Sequence, residues 1–217
     1  MIMLFHCKSM SDLHQIRIFK LASLPPFPLY TRLLKSHSTT KMPPTKPNTK
    51  INNKPVSVLF VCLGNICRSP MAEATFKHIV AERKLDAHFS CIDSAGTGPY
   101  HIGELPDRRS TDTCHKNGVT VNHKGRQLTL ADFEKFDWIL CMDDANVSNV
   151  KSMMPSGCKT QVQLLGFFDP HKTLSNDGHI IIDPYYGEMD GFQLNFEQCR
   201  RATNGFLKHL GMETAAH

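Results

Sequence analysis

The sequence predicts an α/β fold: one doubly wound domain in which a mostly parallel sheet carries helices on both sides. Three observations predict it. Val56–Val61 (VSVLFV) is a β-branched, apolar run of the kind found in a strand buried on both faces. It ends in a Gly-containing turn, Leu63-Gly64-Asn65, and a helix-like segment follows directly. Strand-like and helix-like segments then alternate as far as Leu210.

In chain order, the first helix is expected over about Ser69–Lys84, where Met71, Ala74, Thr75, His78 and Ile79 share one face. Phe89–Asp93 reads as the second strand. Asp107–Asn117 is helical in composition and stops at Gly118, a natural helix terminator. Asp137–Met142 reads as the third strand, Asp144–Met153 as a short helix ended by Pro155, and Gln161–Leu165 as the fourth strand. Gly191–Leu210 is a long amphipathic helix, with Phe192, Phe196, Cys199, Ala202, Phe206 and Leu210 recurring at three- and four-residue spacings. Between them, Asp169–Ile182 (DPHKTLSNDGHIII) is expected to be a variable insertion, a mobile hairpin ahead of Asp183.

Charge is distributed unevenly. Residues 1–54 hold nine of the 25 Lys/Arg and one of the 20 acids, whereas the remaining chain carries 16 bases against 19 acids. The formal net charge of +5 therefore belongs to the extension, and the body gives no reason to expect nucleic-acid binding. Residues 1–54 read as a basic N-terminal extension and linker without stable structure, and residues 55–213 as the folded domain. The composition of residues 1–41, basic and nearly acid-free, also suits a mitochondrial transit peptide; an alternative start at Met42 leaves the protein cytoplasmic, which is the reading adopted. The uncharged stretch Leu21–Thr31 is too short to span a bilayer and holds three prolines, so no membrane anchor is expected. Eight cysteines with no CxxC pair fit a reducing compartment and no zinc site.

The turn after the first strand carries the chemistry. Ligands in open α/β sheets bind beyond the carboxyl ends of strands, and here that end is Val61-Cys62. Cys62 is followed after five residues by Arg68, then by Ser69-Pro70, a helix start. A short loop between a strand and a helix turns successive N–H groups inward as a nest for an anion, and the helix dipole adds to it. Gly64 and Asn65 tolerate left-handed backbone angles. Arg68 offers two parallel donors to a phosphoryl group, which lysine cannot. Helix N-termini and adjacent cations favour a thiolate, so Cys62 is a candidate nucleophile, with the Ser69 hydroxyl beside it. The Gly-Lys-Ser/Thr ending of a nucleotide-binding P-loop is absent.

VCLGNICRSPMAEA resembles the phosphate loop of the low-molecular-weight protein-tyrosine phosphatases. So do Asp93-Ser94-Ala95-Gly96-Thr97, Asn122-His123-Lys124, Phe136–Asp143 and Asp183-Pro184-Tyr185-Tyr186, in the family's order between about Pro55 and Leu210. The resemblance implies a four-stranded parallel sheet in a single domain and a metal-free, cofactor-free hydrolase. It implies that Cys62 forms a phosphocysteine, that Arg68 binds the phosphoryl oxygens and that Asp183 is the general acid and then the base. Leu63, Gly64, Asn65, Ile66, Cys67 and Ser69 would form the phosphate loop. Ser94 and His123 would brace it, and Tyr100, Tyr185 and Tyr186 would wall the substrate slot. Tyr100 stands where the family often carries Trp. Cys67 matches the second loop cysteine, which implies a reversible disulfide with Cys62 under peroxide. The expected partners are phosphotyrosine-containing proteins, small aryl phosphates and, as inhibitors, phosphate-like oxyanions.

Three other readings share these residues. An arsenate reductase would relay oxidation through two further cysteines; Cys141 suits the first, but Ser148 occupies a plausible place for the second. Protein-arginine phosphatases of similar sequence carry Thr where this chain has Ile66. A catalytically inactive phosphoprotein-binding module would have lost Cys62, Arg68 or Asp183, and all three are present.

Overall fold

The structure is a computed structural model that describes residues 54–171, 179–185 and 189–212. Four strands, β1 (Val56–Cys62), β2 (Phe89–Gly96), β3 (Trp138–Cys141) and β4 (Gln161–Leu164), form one sheet in the order β2-β1-β3-β4. Every neighbouring pair is parallel. The helices are α1 (Arg68–Glu82), α2 (Arg108–Lys116), α3 (Asp132–Lys135), α4 (Asp144–Met153) and α5 (Met189–His209).

The period-two alternation of β1 builds two cores. Val58, Phe60 and Cys62 face a layer formed by α1, α2 and α5, with Met71, Phe76, Cys114, Phe192, Phe196 and Phe206 buried there. Leu59 and Val61 face the other side, against Phe133 of α3, Phe136 just after it and Val150 of α4. Full burial of each large side chain contributes roughly 1.5–3 kcal/mol. The same parity that buries Phe60 sends Cys62 to the α1 side, at the strand's carboxyl end.

After β1 the chain crosses to β2 on one side, then returns past β1 to β3 on the other. The carboxyl end of β1 is thus the topological switch point, where a crevice opens.

Some expected boundaries move. Helix α1 ends at Glu82, because Lys84 turns into the left-handed region at φ 56°. Gly118 does the same at φ 76° after α2. Strand β2 runs on to Gly96, since its pairing with β1 continues to Cys62. Helix α5 starts at Met189, two residues before the expected Gly191. Helix α3 and the 3₁₀ turns at Asp86–His88 and Leu165–Phe168 are too short to show a period. Residues 172–178 of the expected insertion lie outside the described residues, as does nearly all of the extension. The described residues 179–182 are not a strand. Among the described residues no helix is long and apolar enough to cross a membrane.

Candidate active site

Residues 62–69 connect β1 to α1 as a tight loop. Asn65 supplies the left-handed residue, at φ 57°. Gly64, expected to share that role, lies outside the left-handed region; its small size instead clears His101, whose ring carbon would come within 3.0 Å of a Cβ. The loop's carbonyls point outward. Those of Cys62 and Leu63 accept from the N–H groups of Thr97 and Gly98 (both 2.9 Å), that of Ile66 from Asp107 N–H (2.8 Å), and that of Cys67 from the Ser110 hydroxyl (3.1 Å). In a trans peptide the next N–H points the opposite way. The N–H groups of Leu63, Gly64, Cys67 and Arg68 are therefore turned to the loop's concave side. Helix α1 has no side-chain cap, so its N-terminal dipole and donors add to that side.

Asn65 holds the loop by using its whole amide. Its Nδ2 donates to Ser69 Oγ and Ser94 Oγ (both 2.9 Å), and its Oδ1 accepts from Arg126 N–H (2.9 Å) and His123 Nε2 (2.7 Å). These bonds orient both hydroxyls. Ser94 Oγ passes its proton towards Glu73 Oε2 (2.6 Å), and Ser69 Oγ lies 3.0 Å from Cys62 Sγ. The Asn65 N–H also donates to Cys62 Sγ (3.2 Å). A backbone N–H donor and a hydroxyl beside one sulfur suit a thiolate.

Glu73 anchors the far end of this network. It is buried on α1, and its other oxygen meets Lys77 Nζ at 2.5 Å. Burial works to raise its pKa, but hydrogen bonds from His123, Lys77 and Ser94 outweigh it, and the carboxylate is held below its ordinary range. Glu73, Asp93 and His123 also bring three possible metal-ligand atoms within 4.8 Å of one another. Those atoms are already engaged: His123 Nε2 with Asn65, His123 Nδ1 at 3.0 Å from Glu73, and Asp93 with Arg126 at 2.9 Å. The cluster reads as a brace.

Arg68 is buried between two acids. Its Nη1 donates to Asp143 Oδ2 (2.6 Å), and its Nη2 meets Asp183 Oδ2 at 2.7 Å. Burial disfavours the charge, yet Cys62, Asp183 and Asp143 overcome that, and the guanidinium is held charged above the usual arginine range. Asp183 comes from the stretch before α5; its Oδ1 accepts from Tyr185 N–H at 3.0 Å.

The rim is apolar and aromatic. Leu63 and Tyr100 are exposed, and the Tyr100 ring lies over Gly98, where any Cβ would collide with it. Arg109 stands 5.6 Å from the Tyr185 ring and 4.6 Å from Phe192, gripped by Asp107 through Nε and Nη2 (3.1 and 2.8 Å). Asp107 caps α2 and reaches the loop through Ile66, so Tyr185 is tied indirectly to the loop. Tyr186 lies outside the described residues. Ile66 is half-buried against the α1 core. Cys67 is buried, and burial together with Asp107 pushes its thiol well above the ordinary range.

The structure thus gathers Cys62, Asn65, Arg68, Ser69, Ser94, His123 and Asp183 around one loop. Sequence reasoning assigned no role to Asp143, Glu73, Arg109 or Arg126. Asp143 carried a signal, as the acid two residues after β3 that closes the Phe136–Asp143 segment. Glu73 sits on a helix with Lys77 one turn on and looks like a surface pair. Cys141, the cysteine an arsenate relay would need, is buried in the second core, and burial pushes its thiol up.

Sequence comparison decides the family. The sequence model described as Low molecular weight phosphotyrosine protein phosphatase matches residues 57–216. This chain belongs to that family. A low molecular weight phosphotyrosine protein phosphatase of Saccharomyces cerevisiae is 45% identical over 161 residues, 73% of this chain and 97% of the yeast protein. The structure of a protein tyrosine phosphatase from Entamoeba histolytica with Hepes in the active site aligns with TM-score 0.66 at 33% identity, covering 72% of this chain and 97% of that one. A Drosophila arginine phosphatase aligns with TM-score 0.64 at 36% identity, over 70% and 96% of the two chains. These two solved structures share this chain's fold.

Proposed function

We propose that this chain is a protein-tyrosine phosphatase that hydrolyses phosphotyrosine and small aryl phosphates through a phosphocysteine on Cys62. The observation that carries the reading is the 2.7 Å contact between Arg68 and Asp183, which brings a distant carboxylate to the loop that holds Cys62. In the first step the Cys62 thiolate attacks phosphorus, and the bond to the phenolic oxygen breaks. Asp183 gives its proton to the departing phenolate. In the second step Asp183 takes a proton from water, the water oxygen bonds to phosphorus, and the thiolate leaves. The Ser69 hydroxyl and Asn65 N–H receive its returning charge. Arg68 and the inward N–H groups carry the equatorial oxygens throughout.

Leu63, Tyr100 and Tyr185 form an apolar rim suited to a phenyl ring, and Tyr186 is assigned the same wall. Phosphotyrosine-containing proteins are the substrates in this reading, and free phosphate-like oxyanions compete for the loop. All seven cysteines among the described residues are free, which supports a cytoplasmic location. Cys67 serves as the resolving thiol: peroxide oxidises Cys62 to a sulfenic acid, and Cys67 displaces water to form a disulfide.

The Drosophila likeness makes phosphoarginine the competing substrate. Ile66 in the loop, where that alternative would have Thr, favours phosphotyrosine. Matched phosphotyrosyl and phosphoarginyl peptides test the choice. At least a tenfold higher kcat/KM is expected for phosphotyrosine, roughly the difference that 1.4 kcal/mol of binding supplies; the reverse order would replace this reading with the arginine one.

A further inference from the structure

We propose that Gln198, assisted by Asn195, is a positioning residue for Asp183, holding the backbone that delivers the acid; this rests on the reading of Asp183 as general acid. The two amides stand three residues apart on one face of α5, and both are fully buried. Their neighbours on that face, Phe192, Phe196, Cys199 and Ala202, are apolar and buried. Amides in such a stripe are unfavourable unless their bonds are made.

The bonds are made to residues 180–182. Gln198 Oε1 accepts from Ile182 N–H (3.2 Å), and Gln198 Nε2 donates to the Ile180 carbonyl (3.4 Å). Asn195 Nδ2 donates to the Ile182 carbonyl (2.8 Å). Both backbone groups of Ile182, the residue before Asp183, are thus held by α5. Among the described residues Ile182 has no other anchor of comparable kind: its side chain is 44% exposed, and residues 179–185 belong to no strand or helix. Ile181 is fixed separately, its N–H on the Met142 carbonyl (2.8 Å) and its side chain in the core. Beyond Asp183, buried Pro184 packs beside Gly191.

Among the described residues Asn195 Oδ1 is buried with no partner, whereas both ends of Gln198 are used. The orientation of Asn195 is nevertheless fixed, since only its NH₂ group can meet a carbonyl. Gln198 is therefore the larger contributor, and an apolar residue at 195 removes an orphan acceptor along with one bond.

The test compares kcat/KM for 4-nitrophenyl phosphate, a good leaving group, with phenyl phosphate, a poor one, in the full chain, Gln198→Met, Asn195→Val and Asp183→Ala. For Gln198→Met, kcat/KM on phenyl phosphate should fall about tenfold, since misplacing a reacting group by an ångström costs up to about a hundredfold. On 4-nitrophenyl phosphate it should stay within about twofold, because that leaving group needs little protonation. Inhibition by inorganic phosphate should not weaken, since the loop and Arg68 are untouched and a displaced Asp183 competes less for that guanidinium. Asn195→Val should show the same pattern at about threefold on the same grounds, and it carries the test if Gln198→Met fails to fold. Equal losses on both esters, or no loss with phenyl phosphate, in whichever variant folds overturn the proposal while leaving Asp183 as the acid. If Asp183→Ala itself does not distinguish the two esters, the acid reading fails and the proposal fails with it.

Discussion

The Asp183 carboxylate rests 2.7 Å from the guanidinium of Arg68. A phosphoryl group entering the loop needs the same guanidinium, so substrate binding and the acid's resting contact compete. Replacing Asp183 with Asn removes a negative charge that opposes an incoming anion. Two outcomes are expected: kcat/KM for phenyl phosphate falls by roughly 10²–10⁴, the usual contribution of general acid catalysis, while the inhibition constant for inorganic phosphate decreases. Weaker phosphate inhibition in Asp183→Asn would show that the contact does not oppose binding.

The Glu73 network makes loop order pH-dependent. Glu73 has its pKa lowered in the folded protein, so its contribution is present above the unfolded-state value and is lost as pH falls through the folded one. Removing one partner of a buried charged network costs about 3–5 kcal/mol. Glu73→Gln is therefore expected to melt well below the wild type at pH 7, with the gap closing as the pH drops below the ordinary glutamate range. A gap that is constant with pH would contradict the assignment.

Much of this was legible in the residues. The β-branched run of β1 and its Gly-Asn turn announced the loop, and the stripe Phe192-Phe196-Cys199 announced α5. What stayed hidden were partners set by topology. Periodicity marks Asn195 and Gln198 as core-facing, but not that their amides meet residues 180–182. Glu73 reads as half of an exposed Glu–Lys pair until β2 brings Ser94 beside it and the segment after α2 brings His123. Arg109 looks like one of two surface arginines until Tyr185 and Phe192 arrive from the far end of the chain. Gly64 was read for backbone freedom, whereas its smallness beside His101 is what the packing uses.

Gly205 on α5 faces the Phe168 carbonyl so closely that any Cβ would overlap it. Alanine is the better helix former by roughly 1 kcal/mol, so an exposed site would gain stability. Here overpacking of about 1–3 kcal/mol or more should win. Gly205→Ala is expected to lower the melting temperature; a rise would mean that α5 and the 3₁₀ turn at Leu165–Phe168 separate easily.

Cys67 should matter only under oxidation. Its thiol is held protonated by burial and takes no part in the proposed steps, so Cys67→Ser should keep turnover near the wild-type value. After a peroxide pulse the wild type should recover with dithiothreitol, and Cys67→Ser should recover less, because sulfinic acid is irreversible. Equal recovery would remove Cys67 from any protective role.

The central claim is that Cys62 is the nucleophile of a metal-free phosphatase. Hydrolysis of a phosphotyrosyl peptide by the full chain with chelator present, wild type beside Cys62→Ser, tests it most directly. Turnover by the wild type and none by Cys62→Ser, with phosphate binding retained in the variant, is the predicted result. Turnover that survives in Cys62→Ser, or that the chelator abolishes in the wild type, would contradict it.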